Sequence, residues 1–205
     1  LGTTRNDRAN TIKADSSGNI FVSGHTSFNL DGEVYSGSGY EALFVVKYNT
    51  YGTKQWTRLL SSSSSNVRAN GITTDSSGNI YLAGYTSGGL DGNTNAGSDD
   101  IFVVKYDSSG TKQWTKQFGS SSNDQAFGLA SNSSGNIYVT GSTFGGLYGN
   151  TNSGDKDIFL VKYNSSGIKQ WTQQLGTSSE DIGYGVTVDS SGNIYVTGIA
   201  QGGLD

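Results

Sequence analysis

The amino-acid sequence predicts an all-β protein built from about three and a half copies of one four-stranded unit. Two blocks that recur in register support this. The first block starts 60, 57 and 57 residues apart and reads DSSGNIFVSGHT from Asp15, DSSGNIYLAGYT from Asp75, NSSGNIYVTGST from Asn132 and DSSGNIYVTGIA from Asp189. The second lies between its copies and reads FVVKYNTYGTKQWT from Phe44, FVVKYDSSGTKQWT from Phe102 and FLVKYNSSGIKQWT from Phe159. Self-similarity at a nearly fixed period is the signature of a repeat architecture.

The composition favours short strands joined by tight turns. The 205 residues include 31 Gly and no Pro, Cys or Met, and 15% of them are charged. Gly and Asn accept the positive φ angles that tight turns demand. The 12 Tyr, 8 Phe and 3 Trp exceed what a disordered Gly/Ser linker carries, so the chain is expected to fold. A net charge of −4 disfavours binding to nucleic acid, and no apolar run is long enough to predict membrane insertion.

Turn sequences divide each unit into four strands, which we name A to D. In D-S-S-G-N, the two Ser suit the centre of a type I turn and the Gly suits the left-handed position after it. In the second copy, the predicted strands are Asn70–Asp75, Asn79–Thr86, Asp100–Tyr106 and Thr111–Phe118.

The faces of these strands indicate how the units pack. Strands B and C are apolar on both sides, which predicts burial on both faces, whereas strand D is polar like an outer edge. Strand A carries a Gly where sheets crowd near an axis, at Gly71, Gly128 and Gly185. This is the pattern of a β-propeller blade. We expect one repeat array over 1–205, with blades at about 8–60, 68–118, 125–175 and, in part, 182–205, as a segment of a larger closed ring.

The G-N-I-Y-V-T-G-x-T, F-V-V-K-Y and D-S-S-G-x-x-x-W blocks resemble the β-propeller repeats called SBBP repeats. That family occurs mainly in large bacterial and archaeal surface or secreted proteins. The resemblance covers essentially the whole chain. It implies a propeller fold, an extracellular or cell-surface location and no shared catalytic residue.

One loop has the oxygen-rich spacing of a calcium site. Asp91, Asn93, Asn95 and Asp99 occupy positions 1, 3, 5 and 9 of the loop and offer the oxygen ligands that hard cations prefer. The equivalent loop of the next copy starts with Tyr148, which favours a polar turn network as the alternative. Calcium is therefore the one cofactor for which the sequence offers a candidate site.

Candidate catalytic side chains are few, and we expect that the chain is not an enzyme. His25 is the only His, and other copies carry Tyr85, Ser142 or Ile199 in its place. A catalytic triad or a metal centre needs more such groups. The repeated Trp56, Trp114 and Trp171 are interpreted as residues that dock one blade on the next.

Strand parity predicts where a ligand docks. In a four-stranded meander, the B–C and D–A connections lie on one side, and here they are the longer and more variable ones. They carry the candidate binding residues Phe28, Tyr35, Tyr40, Phe144 and Tyr148. We expect a binding or adhesion module for a protein or glycan, with a structural spacer or assembly subunit of a large surface protein as the alternative. Further repeats of a longer chain, or another copy, would close the ring.

Overall fold

The computed structural model describes residues 2–3, 6–35, 40–62 and 64–203, and these contain fourteen β-strands. No helix in the described part of the chain is long and apolar enough to cross a membrane. The strands are β1 (Asp7–Ala14), β2 (Ile20–Thr26), β3 (Ala42–Tyr48), β4 (Lys54–Leu60), β5 (Val67–Thr74), β6 (Ile80–Thr86), β7 (Asp100–Tyr106), β8 (Lys112–Phe118), β9 (Asp124–Ser131), β10 (Ile137–Thr143), β11 (Asp157–Tyr163), β12 (Lys169–Leu175), β13 (Asp181–Val188) and β14 (Ile194–Ala200).

The strands form consecutive antiparallel sheets, as predicted. Three sheets have four strands in the orders β1-β2-β3-β4, β5-β6-β7-β8 and β9-β10-β11-β12, and the fourth pairs β13 with β14. We call them blades 1 to 4. The all-β propeller architecture of about three and a half blades is therefore confirmed.

Strand A begins three residues earlier than predicted, at Val67 in blade 2. The pairing of β5 with β6 shifts between Ala69 and Gly71, so Asn70 is an extra, bulged residue. The bulge brings the backbone of Arg68 against Gly84, where a Cβ would lie 1.9 Å from the Arg68 carbonyl oxygen. The alternation of a regular strand is lost at this bulge, which explains the error.

The D-S-S-G-N turns close the hairpins as the sequence indicated. In blade 2, the Asp75 carboxylate accepts bonds from the backbone N–H groups of Ser77 and Asn79 at 2.9 and 3.0 Å. Gly78 follows with a φ of 75°. Burial acts to raise the pKa of Asp75, but hydrogen bonds from Asn79 and Tyr81 outweigh it and lower that pKa below its usual value.

Adjacent blades share their cores. One cluster joins Phe21 and Val45 of blade 1 to Leu82 and Phe102 of blade 2, and an equivalent cluster spans blades 2 and 3. The inner strands approach closely, because a Cβ on Gly71 would lie 3.1 Å from the Leu129 side chain. Each blade therefore depends on its neighbour for burial of its apolar face.

The repeated Trp lies against the C–D turn of the following blade. A Cβ on Gly167 would be 3.0 Å from two ring atoms of Trp114, and Gly110 has the same relation to Trp56. Trp114 Nε1 also donates to the Ser165 carbonyl at 3.4 Å. These contacts agree with a docking role between blades.

Blade 4 leaves an apolar surface exposed. Strand β14, together with β11 and β12 of blade 3, borders a cavity of about 380 Å³ lined mainly by apolar residues, namely Ile158, Leu160, Leu175, Val196, Ile199 and Ala200. Tyr195 is 53% exposed, whereas its blade 2 counterpart Tyr81 is fully buried. In blades 2 and 3, strand C packs against the preceding blade in the corresponding place.

Candidate functional site

The two ends of the strands form two different faces. Serine turns from neighbouring blades meet on one face, where Lys105 Nζ donates to the Ser165 carbonyl at 3.1 Å. The B–C and D–A connections meet on the other, where Asp124 N–H donates to the Asp99 carbonyl at 2.8 Å. We call them the turn face and the loop face. Strand parity therefore predicted their separation correctly.

Only part of the B–C loop lies on the loop face. In blade 2, Asp91 and Gly92 have φ angles of 52° and 80°, and Asn93 N–H donates to the Leu90 carbonyl at 3.0 Å. These values define a type I′ turn. Leu90 is buried and its N–H donates to the Gln117 side chain at 2.9 Å. The loop thus folds along the outer strand β8 and covers the core.

The residues of the predicted calcium loop each have a separate partner. Asp91 pairs with Lys112 Nζ and accepts from Thr115 Oγ1, both at 2.5 Å. The other side chains are also engaged: Asn93 donates to Leu90 O, Asn95 Oδ1 accepts from Gln117, and Asp99 accepts from Gln125. Among the described residues, no group of three or more His, Cys, Asp or Glu could hold a metal ion. These contacts form a polar turn network, and the calcium site stays a prediction.

The predicted aromatic residues of blade 3 are separated by the fold. Phe144 lies on the loop face, with Lys156 Nζ 5.1 Å from its ring centroid. Tyr148 lies on the outer rim instead, in the type I′ turn position that Asp91 has in blade 2. Its ring stacks on Phe118 at 5.4 Å and is contacted by Lys169 Nζ. Tyr148 therefore does not share a surface with Phe144.

The remaining candidates belong to the B–C loop of blade 1, of which residues 36–39 lie outside the described residues. Phe28 is 44% exposed and Tyr40 is 40% exposed. Tyr35 N–H donates to Asn29 Oδ1 at 2.8 Å, and the Tyr35 hydroxyl donates to the Tyr40 carbonyl. These three aromatic residues remain candidates for contact with a ligand.

One polar cavity of the loop face was not predicted from the sequence. It has a volume of about 440 Å³ and lies at the inner strands, where it is lined by Arg8, Ala9, Asn10, His25, Arg68, Asn70, Tyr85 and Phe127. The motif Arg-Ala-Asn occurs at 8–10 and 68–70, and both its Arg and its Asn line the cavity in each case. We call it the RAN cavity. The repeated motif is the signal that could have revealed it.

Strand bulges position the side chains of the RAN cavity. The register shifts at Asn10 in β1 and at Asn70 in β5. Each bulged Asn donates its amide N–H to a backbone carbonyl of the next inner strand at 2.9 Å, Asn10 to Ala69 and Asn70 to Ala126. The bulges thus link neighbouring blades and fix the two amides at the cavity wall.

Positive charge predominates among the groups at the RAN cavity. Arg68 pairs with the Glu41 carboxylate and donates to the Tyr85 hydroxyl at 2.8 Å. Glu41 also lies 3.8 Å from His25 Nε2. Burial, with Arg68 and Arg8 nearby, lowers the pKa of His25 despite the opposing effect of Glu41, so its imidazole is neutral near pH 7. Arg8 is exposed and forms no ion pair with a described residue.

A second cavity continues the loop face toward blade 4. Its volume is about 290 Å³, and its lining includes Asn123, Gln125, Ser142 and Phe144. Phe127 lines both cavities and packs 5.8 Å from Tyr184. The two cavities therefore form a polar row with an aromatic ring between them.

The family model for the SBBP beta-propeller repeat matches residues 55–91, 113–149 and 170–205. The chain belongs to the SBBP beta-propeller repeat family. Each matched SBBP repeat begins in strand D of one blade, and the first two end in the B–C loop of the next blade. The sequence repeat therefore crosses the boundary between blades.

Two curated relatives are much longer than this SBBP repeat chain. An uncharacterized WD repeat-containing protein, L264, of Acanthamoeba polyphaga mimivirus is 31% identical over an alignment of 170 residues that covers 64% of this chain and 12% of that protein. Regulatory protein FlaEY of Caulobacter vibrioides is 28% identical over an alignment of 167 residues that covers 75% of this chain and 17% of that protein. The chain thus spans less than a fifth of the length of either relative.

Proposed function

We propose that the chain is a non-catalytic binding or adhesion module, at the cell surface or outside the cell, whose protein or glycan ligand docks on the loop face. The observation that carries this proposal is the row of two polar cavities at the inner strands, because ligand sites are concave and contain a few converging polar groups. The turn face offers short serine turns that repeat from blade to blade. Variable groups held by a rigid scaffold are typical of recognition surfaces.

A pair of matched variants tests which face binds. Phe144→Ser places on the loop face the residue that blade 2 has there, Ser87. Tyr51→Ser changes an aromatic side chain of the turn face that is 90% exposed, and blade 2 has Ser109 at that position. Both variants remove a partly or fully exposed ring and keep the backbone.

Binding to a panel of immobilised glycans and surface proteins is the measurement. Phe144→Ser is expected to weaken binding of the best ligand at least about fivefold, whereas Tyr51→Ser leaves it unchanged. Loss of binding in Tyr51→Ser alone would assign recognition to the turn face and contradict the proposal. The location is tested separately, by labelling intact cells with an antibody against the chain.

The exposed surface of blade 4 supports a second role, in assembly of a longer array. Its apolar cavity beside β14 corresponds to the place where strand C of blades 2 and 3 packs against the preceding blade. We propose that strands C and D of a following repeat occupy it, which agrees with the length of the relatives. Adding a synthetic repeat after Asp205 is expected to raise the melting temperature. An unchanged melting temperature would contradict this assignment.

A further inference from the structure

The RAN cavity has the chemistry of a site for an acidic sugar. Two guanidinium groups, from Arg8 and Arg68, line it, with the Glu41 carboxylate beside one of them. We propose that the cavity binds the carboxylate of a uronic acid within a carbohydrate chain. This inference rests on the proposed binding role of the loop face and names the class of ligand.

Arg8 is the group that would contact the carboxylate. Arg68 is already held by Glu41 and by the Tyr85 hydroxyl, so its orientation is fixed. Arg8 is exposed and has no ion-pair partner among the described residues. A guanidinium can donate two parallel hydrogen bonds to a carboxylate. The chain as a whole carries a net charge of −4, so this local positive charge is not a general property of the surface.

Amide and aromatic groups around Arg8 match the rest of a sugar ring. The side-chain amides of Asn10 and Asn70 each donate a hydrogen bond to a backbone carbonyl, and their amide oxygens accept no hydrogen bond from a described residue. Those oxygens can accept bonds from sugar hydroxyls. The partly buried ring of Phe127 lies between the two cavities and provides an apolar surface for the face of a sugar.

The inner strands disfavour an acidic peptide in the same place. A peptide that extends a sheet needs free backbone groups along a strand edge. Here the Asn10 and Asn70 amides already occupy the carbonyls of Ala69 and Ala126 at that edge. The second cavity adds Asn123, Gln125 and Ser142, which are side chains suited to hydroxyl groups. A polar chain of rings therefore fits the row better than an extended peptide.

Titration calorimetry with trigalacturonate and with the neutral galactose trisaccharide tests the proposal. The variant is Arg8→Gln, because Gln125 is the natural residue at the equivalent position of blade 3. Lys13→Gln is the matched control, since it removes an exposed cation from the same strand but outside the cavity lining. Arg8→Gln should reduce trigalacturonate affinity roughly ten- to hundredfold, and Lys13→Gln should not.

Salt dependence and control ligands distinguish the possible outcomes. Wild-type affinity for trigalacturonate should fall as salt concentration rises, while any affinity for the neutral sugar should not. Equal binding of both sugars, unaffected by Arg8→Gln, would overturn the acidic class but leave the loop face as a binding surface. Binding of poly-glutamate in place of trigalacturonate, with loss in Arg8→Gln, would overturn the sugar assignment. No binding of trigalacturonate at millimolar concentration would overturn the proposal outright.

Discussion

Replacing Trp114 by Ala should destabilise the protein by removing contacts within blade 2 and between blades 2 and 3. Within its blade, Trp114 packs 6.0 Å from Tyr81. Across the interface, it lies against Gly167 and donates to the Ser165 carbonyl. Deleting a fully buried Trp costs about 3–5 kcal/mol, and the partial exposure of this ring reduces the expected cost to about 3 kcal/mol.

Trp171 offers a control for the contribution of the interface. It packs 6.2 Å from Tyr138 within blade 3, but no C–D turn of blade 4 lies in the described part of the chain. Trp171→Ala should therefore cost about 1–2 kcal/mol less than Trp114→Ala, since it loses no turn contact and no hydrogen bond to the next blade.

Thermal unfolding followed by far-ultraviolet circular dichroism measures this difference. For a chain of this length, each 1 kcal/mol corresponds to roughly 2–4 °C, so Trp114→Ala should lower the melting temperature by about 6–12 °C. Equal shifts for the Trp114→Ala and Trp171→Ala variants would refute the docking role. A shift of less than about 1 °C with loss of ligand binding would indicate a recognition role instead.

Three further predictions concern charge, turn geometry and assembly. Burial, with the Asp100 carboxylate nearby, raises the pKa of Asp124, so the stability that protonated Asp124 contributes is complete below about pH 4 and is lost as pH rises through the native pKa. The Asp124→Asn variant should therefore gain stability relative to wild type as pH rises from acidic to neutral. A constant difference in melting temperature between the two proteins across a pH series would contradict this. Asp91→Ala should cost roughly 1–3 kcal/mol in urea denaturation, because it removes the Lys112 ion pair and strains a positive φ, while Asp91→Asn should cost less. The exposed apolar surface of blade 4 should make the isolated chain self-associate at micromolar concentration, and a stable monomer in sedimentation velocity would show that this surface needs no cover.

The sequence predicted the strands and hairpin turns well, because their signals are local and repeat in register. The D-S-S-G-N turn contains its own hydrogen-bond acceptor and its own positive-φ Gly, as Asp75 and Gly78 show. The apolar runs of strands B and C likewise report burial directly. Consistency between local turn chemistry and strand pattern is what made the fold predictable.

Contacts between separate repeats could not be predicted in the same way. The course of the B–C loop depends on Asp91 reaching Thr115 across 24 positions of the chain. The RAN cavity depends on two bulges and on residues from three blades, such as Arg8, Asn70 and Phe127. Aromatic residues in one loop were expected to share a face, but the type I′ turn separates Tyr148 from Phe144. These features arise from packing that no single repeat specifies.

Chemical-shift mapping by nuclear magnetic resonance tests the central claim, that ligands dock at the inner strands of the loop face. The labelled chain is titrated with trigalacturonate, or with the best ligand of the binding panel, and backbone amide shifts are followed. Shifts should be concentrated at 8–10, 68–70 and Phe127, with the D-S-S-G-N turns unaffected. Shifts confined to those turns, at 76–78 and 133–135, would contradict it.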